Sequence, residues 1–272
     1  MIKAIGTVWL AADDLDAART SYQALLGVES SAHAAGGNVE HLCFGLANVT
    51  LDIVPRDLTD RGGDRAPQAA DVQGLGGIAF AVDDIDEARR RLARRGLETT
   101  WPAPVGPDDG AGVLVAPSRL PHHVRLSFHS AQAPATAAPP RDPSAIAGLD
   151  HVVVRSPNPE RAIVLYAGRL DLELKLDVTR PEWGVRLLFF RCGDLIVEIA
   201  HDLNAGLSEG PDKLWGLSWR SADIEATHRR LAGAGFDLSP VRPGRKPGTR
   251  VFTVRNRTAG VPTLVVGPQS NA

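Results

Sequence analysis

The chain has 272 residues, of which 43% are hydrophobic, and its 30 basic and 32 acidic side chains give a formal charge of −2. This length can bury the core of one large or two small domains. The charge balance excludes an overall basic field for nucleic acid. No segment approaches the roughly 20 apolar residues of a membrane helix, and the N-terminus lacks the apolar core of a secretion signal. We therefore expect a soluble, cytoplasmic protein with a small-molecule partner.

The first 55 residues predict a strand, an amphipathic helix and a hairpin. The helix places apolar residues at helical spacing, at Leu15, Ala18, Tyr22 and Leu25. Two further strands follow at 40–45 and 49–55, and the short turn between them is typical of a hairpin. One helix face is therefore expected to pack on a sheet.

A second copy of this pattern begins near residue 77. Ile78, Phe80 and Val82 alternate with small residues, which predicts a strand with one packed face. Asp84 then caps a helix, and Glu87 three residues later is typical of a capping box.

An Ala/Pro-rich segment, 130–147, shows neither helical nor strand periodicity and is predicted to be a linker. The sequence on its two sides repeats. Residues 5–26 match 149–170 without a gap, and residues 77–96 match 216–235. The chain is therefore predicted to hold two domains of two modules each, at 1–129 and 148–272.

The third module repeats the first. Asn158 is the expected helix cap, with Pro159 in the first turn, where its missing N–H costs nothing. Strands follow at 185–191 and 195–200. A strand, a helix and three more strands in each module predict an α+β fold, in which paired modules form a curved sheet with helices outside and a concave face free to line a pocket.

Three segments of these modules resemble a known superfamily: residues 82–88, residues 149–154 and residues 195–199. They are similar to the vicinal oxygen chelate superfamily, which includes glyoxalase I, bleomycin-resistance proteins, fosfomycin-resistance enzymes and extradiol dioxygenases. The resemblance covers nearly the whole chain outside the linker. It implies the fold more strongly than the reaction, because the superfamily spans several chemistries and also includes metal-free binders.

The resemblance also implies a metal site. In metal-binding members the first strand of a module offers a histidine and the last a glutamate, both on the concave face. His151 and Glu198 match this pattern, and together they suit Zn, Mn, Fe, Co or Ni. The corresponding residues of the other modules are Thr7, Asp52, Gly77, Ser127, Gly216 and Leu264.

Two arrangements of the modules remain open. If module three faces module two, the strand at 120–129 crosses the same cavity, and His123 or His129 completes a site with His151 and Glu198. If each domain closes on itself, the pair faces Gly216 and Leu264 instead. Two protein ligands would hold a metal weakly.

Four arginines are candidate substrate-binding residues. Arg155 and Arg220 occupy the same position in modules three and four, on the cavity side of their strands, and Arg125 and Arg186 are candidates to join them. Several guanidinium groups in one pocket favour a carboxylate, phosphate or enolate ligand. The alternative is structural pairing of these groups with carboxylates, at Glu160, Glu182 or Asp223.

The sequence thus predicts a divalent-metal-assisted enzyme of lyase, isomerase or dioxygenase type, acting on a small organic molecule, which the candidate arginines would favour in anionic form. The alternative is a metal-free ligand-binding or antibiotic-sequestering protein of the bleomycin-resistance type. Classical glyoxalase I activity is disfavoured, because Leu264 stands where a second carboxylate base is wanted. The paired domains suit either a monomer, as a pseudo-dimer, or a homodimer.

Overall fold

A computed structural model describes residues 2–35, 39–56, 74–101, 113–117, 122–130, 138 and 140–269. The N-terminal half folds as two modules. The first consists of β1 (Ile2–Ala12), α1 (Leu15–Leu26), β2 (Ser31–Ala35), β3 (Val39–Gly45) and β4 (Thr50–Pro55). The second consists of β5 (Gly74–Val82), α2 (Ile85–Arg94), β6 (Val113–Val115) and β7 (Leu126–Ser130). Their strands form one mixed sheet in the order β2-β3-β4-β1-β5-β7-β6.

The C-terminal half repeats this plan. The third module consists of β8 (Ile146–Arg155), α3 (Pro159–Ile163) with its π-helical continuation Val164–Arg169, β9 (Glu173–Arg180), β10 (Val185–Cys192) and β11 (Leu195–Asp202). The fourth consists of β12 (Lys213–Ser221), α4 (Ile224–Gly233), β13 (Arg242–Pro243), β14 (Thr249–Val254) and β15 (Thr263–Pro268). The sheet order is β13-β14-β15-β12-β8-β11-β10-β9. The predicted α+β fold of two domains with mixed sheets is confirmed.

Within each domain, the two modules pair through their first strands. In the N-terminal sheet β1 pairs antiparallel with β5, and in the C-terminal sheet β8 pairs antiparallel with β12. The structure therefore has the second of the two arrangements that the sequence left open. Of the predicted linker, residues 131–137 and 139 lie outside the described residues; β7 ends at Ser130 and β8 begins at Ile146.

Each helix begins at a side chain that accepts a hydrogen bond from the backbone N–H three residues later. The four caps are Asp14, Asp84, Asn158 and Asp223. The predicted caps Asp84 and Asn158 are thereby confirmed. Such a cap stabilises a helix by about 1 kcal/mol. Over the described residues, no helix is long and apolar enough to cross a membrane.

Alternation along the strands separates the core from the concave face. Val152, Val154, Val197 and Ile199 belong to the core beneath the helices. Because successive strand residues point to opposite sides, His151, Val153 and Glu198 lie on the concave side.

The side chain of Asn48 joins the two domains. Its Oδ1 accepts a hydrogen bond from the backbone N–H of Leu149 at 2.9 Å, and its Nδ2 donates to the carbonyl of Leu149 at 2.8 Å. A Cβ at Gly148 would lie 2.5 Å from Asn48 Oδ1, so the neighbouring position must be glycine for this approach. Tyr22 adds a second link, donating from its hydroxyl to the carbonyl of Thr258 at 3.0 Å.

We predict that Asn48→Ala destabilises the fold by about 1–3 kcal/mol, because it leaves the partly buried N–H and C=O of Leu149 without this partner. Urea unfolding followed by circular dichroism measures the effect. Asn204→Ala, at an exposed position, serves as the control and should change stability by less than about 0.5 kcal/mol. Equal effects of the two substitutions would contradict the role assigned to Asn48.

Candidate functional site

His151 lies next to a β-bulge in β8. Across the pairing with β12, His151 faces Ser218 and Leu149 faces Trp219, so Asp150 is an extra residue in β8. The bulge brings Asp150 to His151, and Nδ1 of the ring lies 3.0 Å from Oδ2 of Asp150. Because an ionised carboxylate only accepts hydrogen bonds, Nδ1 is the donor. This hydrogen bond fixes the orientation of the ring, so Nε2 points away from Asp150.

Nε2 of His151 points to Glu198 on β11, the strand that runs parallel beside β8. The distance from Nε2 to Oε2 is 3.3 Å, and the two side chains are 18% and 12% exposed. The imidazole therefore lies between two carboxylates. Burial opposes the charge of Asp150, yet the hydrogen bonds and charges of His151 and Arg220 outweigh it and hold the pKa of Asp150 below its ordinary value.

The space between Nε2 and Oε2 is suited to a cation. With a proton on Nδ1, a neutral ring has only a lone pair on Nε2, and that lone pair would face a negatively charged oxygen of Glu198. A second proton on the ring, or a metal ion bound by both atoms, removes the repulsion. Asp150 then takes the position that a carboxylate commonly has behind a metal-binding histidine.

Ser218 is a site residue that the sequence reasoning missed. It lies directly opposite His151 on β12, and cross-strand partners point to the same face. Ser218 is 1% exposed, and its hydroxyl has no hydrogen-bond partner among the described residues. Its neighbours Leu217 and Trp219 belong to the core, so alternation along the strand could have placed Ser218 on the concave face.

The other half of the predicted metal site lacks ligands. Gly216 and Leu264 occupy the positions that correspond to His151 and Glu198. A Cβ at Gly216 would lie 2.8 Å from the carbonyl oxygen of Pro262, so the backbone itself closes this position. Within the described ranges, no group of three or more His, Cys, Asp and Glu residues is placed to hold a metal. The residues present fit a divalent ion with two protein ligands and open positions for a ligand's oxygens.

The histidines predicted from module two belong to the N-terminal domain. His129 lies on β7, where its Nδ1 contacts the carbonyl of Ser130 at 3.2 Å and its ring covers Gly6 of β1. His123 is exposed in the turn before β7, with a positive φ of 73°. The structure thus brings His151 and Glu198 together but places His129 on the N-terminal sheet and His123 in the turn before β7.

The four candidate arginines occupy different environments. The guanidinium of Arg220 lies 3.1 Å from Asp150 and 2.9 Å from Asp194. That of Arg155 stacks 4.2 Å from the ring centre of Trp215. Arg186 lies on the helix side of β10 and pairs with Asp177 and Glu160 at 2.7 and 2.6 Å, which includes one of the structural pairings considered above. Arg125, before β7, accepts a hydrogen bond at its carbonyl from the N–H of Ile78.

Two family models match the chain, at residues 4–116 and 150–253, and both are described as the Glyoxalase/Bleomycin resistance protein/Dioxygenase superfamily. Together they cover most of both domains. The chain therefore belongs to this superfamily, the vicinal oxygen chelate group, as a two-domain member. No curated protein matches the chain in sequence.

Solved structures show the same two-domain fold. A halotolerant catechol dioxygenase aligns with a TM-score of 0.71 at 14% identity, over 98% of this chain and 87% of its own. A variant of 4-hydroxymandelate synthase from Streptomyces coelicolor aligns with 0.71 at 16% identity, over 100% and 94%. The Mn(II)-bound glyoxalase from Novosphingobium aromaticivorans aligns with 0.70 at 18% identity, over 98% and 82%. At these identities the similarity establishes the fold.

The pairing of Arg186 with Asp177 predicts a pH-dependent contribution to stability. The hydrogen bond from Arg186 lowers the pKa of Asp177 below its ordinary value, so this carboxylate stabilises the folded state above that value and loses its effect as the pH falls. Since the pair is partly exposed, a double-mutant cycle with Asp177→Asn and Arg186→Gln should give a coupling of about 0.5 kcal/mol at neutral pH. Urea unfolding at neutral and acidic pH tests this, and a coupling that survives protonation of Asp177 would contradict it.

Proposed function

We propose that the C-terminal domain is a divalent-metal-assisted enzyme that acts on a small, anionic organic molecule bound on its concave face. The observation that carries this proposal is the position of His151 between Asp150 and Glu198, with Nε2 only 3.3 Å from a carboxylate oxygen. This geometry favours a cation between the two side chains.

Each residue of the site has a distinct role in the proposal. Nε2 of His151 and the carboxylate of Glu198 hold the ion, and Asp150 keeps the proton on Nδ1 and orients the ring. The bound ion would act as a Lewis acid on the neighbouring oxygens of the ligand. Ser218 offers its unpartnered hydroxyl to a ligand oxygen.

Two apolar side chains lie beside the polar residues of the site. By register, Phe189 lies beside Glu198 and Leu264 beside Ser218. These side chains would pack on the carbon skeleton of the ligand and keep water from the polar end of the site. A proton transfer that requires two carboxylate bases is disfavoured, because Leu264 supplies none. Lyase, isomerase and dioxygenase chemistry remain the proposed classes.

A metal-free binding protein is the second candidate function. The observation that favours it is the pair Gly216 and Leu264, which leaves two of the four corresponding positions without a donor side chain. In this case the concave face would sequester a ligand without reacting with it.

We predict that the full chain, purified without a nickel column, binds an added divalent ion such as Mn(II) in a one-to-one ratio, measured by titration calorimetry. His151→Ala and Glu198→Gln should abolish binding, and Asp150→Asn should weaken it by about tenfold or more, because the second carboxylate orients the ring. His123→Ala is the matched control and should retain the metal. A metal-free protein that still binds ligands after His151→Ala would instead support the second candidate.

A further inference from the structure

Two equivalent hairpins touch each other across the C-terminal sheet. One connects β9 to β10 and contains Trp183, and the other connects β13 to β14 and contains Arg245. Strands β9 and β13 are the two edges of the eight-stranded sheet. The guanidinium of Arg245 nevertheless lies 4.5 Å from the ring centre of Trp183. The hairpins beside the two edges of the sheet therefore approach each other.

This contact stands opposite the His151 site. The pairing of β8 with β12 sets His151 against Ser218 and Val153 against Gly216. The sequence repeat makes His151 correspond to Gly216 and Val153 to Ser218, so an approximate two-fold axis between modules three and four passes through this pairing. Equivalent hairpins that touch must lie near the same axis. The contact between the two hairpins therefore lies on the opposite side of the concave face from the paired strands β8 and β12.

The guanidinium groups of Arg180 and Arg245 both lie near the ring of Trp183. We call these three residues the clasp. Arg180 lies 5.7 Å from the ring centre, and the indole remains 49% exposed. In the part of the chain that the structure describes, neither guanidinium has a carboxylate within 4 Å, whereas Arg186, Arg220 and Arg250 do. The clasp thus presents a half-exposed indole and two guanidinium groups that have no carboxylate partner among the described residues.

We propose that the clasp is the ligand entrance and binds the carboxylate of a planar aromatic acid. A guanidinium group binds a carboxylate through two parallel hydrogen bonds, and an exposed indole stacks on a flat ring. The carboxylate end then lies at Arg180 and Arg245, and the opposite, oxygen-bearing end points to Ser218 and His151. The orientation rests on the proposed function, but the carboxylate subsite requires no metal.

Titration calorimetry with the full chain tests the proposal, using benzoate as the probe and benzamide as its neutral analogue. We expect benzoate to bind about tenfold or more tightly than benzamide, and Arg180→Gln and Arg245→Gln each to weaken benzoate by about tenfold, because each removes a charge-assisted hydrogen bond. Trp183→Ala should weaken both probes, whereas Trp183→Phe should retain most of the binding. Arg255→Gln, which alters an exposed arginine paired with Asp237, is the matched control and should have no effect.

Equal affinity for the two probes, no binding of benzoate, or unchanged binding in the Arg180→Gln/Arg245→Gln double variant would overturn the proposal. The metal measurement separates this result from the proposed function. If the chain is metal-free but benzoate binding depends on the clasp, the clasp is supported and the metal-assisted function fails. If the metal is present and the clasp substitutions leave benzoate binding unchanged, the clasp alone fails.

Discussion

The antiparallel pairing of β8 with β12 decides which side chains share the concave face of the C-terminal domain. It sets Ser218 beside His151 and Gly216 beside Val153. The bulge in this pairing also adds Asp150 to the group that surrounds the imidazole. Because strand residues alternate between faces, a slip of one residue would turn His151 into the core and leave the concave face without its acid–imidazole group. The register is held by the buried residues of the same strands, Val152 and Val154.

The N-terminal domain uses the same pairing to fill its own concave face. Trp9 corresponds to Val153, and Gly77 corresponds to Gly216. A Cβ at Gly77 would lie 2.9 Å from the ring of Trp9, so the indole occupies the space over this glycine. The ring of His129 likewise covers Gly6, at the position of the bulge. Side chains of the domain itself thus pack where the C-terminal domain has its candidate site.

Local patterns predicted the modules, the caps and the strand faces, because each of these depends on residues close together in the chain. Module pairing could not be predicted in this way, since the edges of all four modules offer the same backbone N–H and C=O groups. Asp150 was also missed, because simple alternation puts it on the face opposite His151, and only the bulge changes this. Alternation with the core residues Leu188 and Phe190 places Arg186 on the helix side of β10 and not on the concave face. The contact of Trp183 with Arg245 joins hairpins from two modules and leaves no local sequence signal.

The two halves of the C-terminal concave face differ in what they allow. On module four, the carbonyl of Pro262 blocks a side chain at Gly216, so no single substitution there would restore a ligand without a backbone shift. Leu264, beside Ser218, carries an apolar side chain where module three has Glu198. His151 and Glu198 therefore have no imidazole or carboxylate counterpart on module four, which contributes the hydroxyl of Ser218 instead. A molecule bound on this face would meet an imidazole and a carboxylate on module three but a hydroxyl and an aliphatic side chain on module four, so its two sides would meet different chemistry.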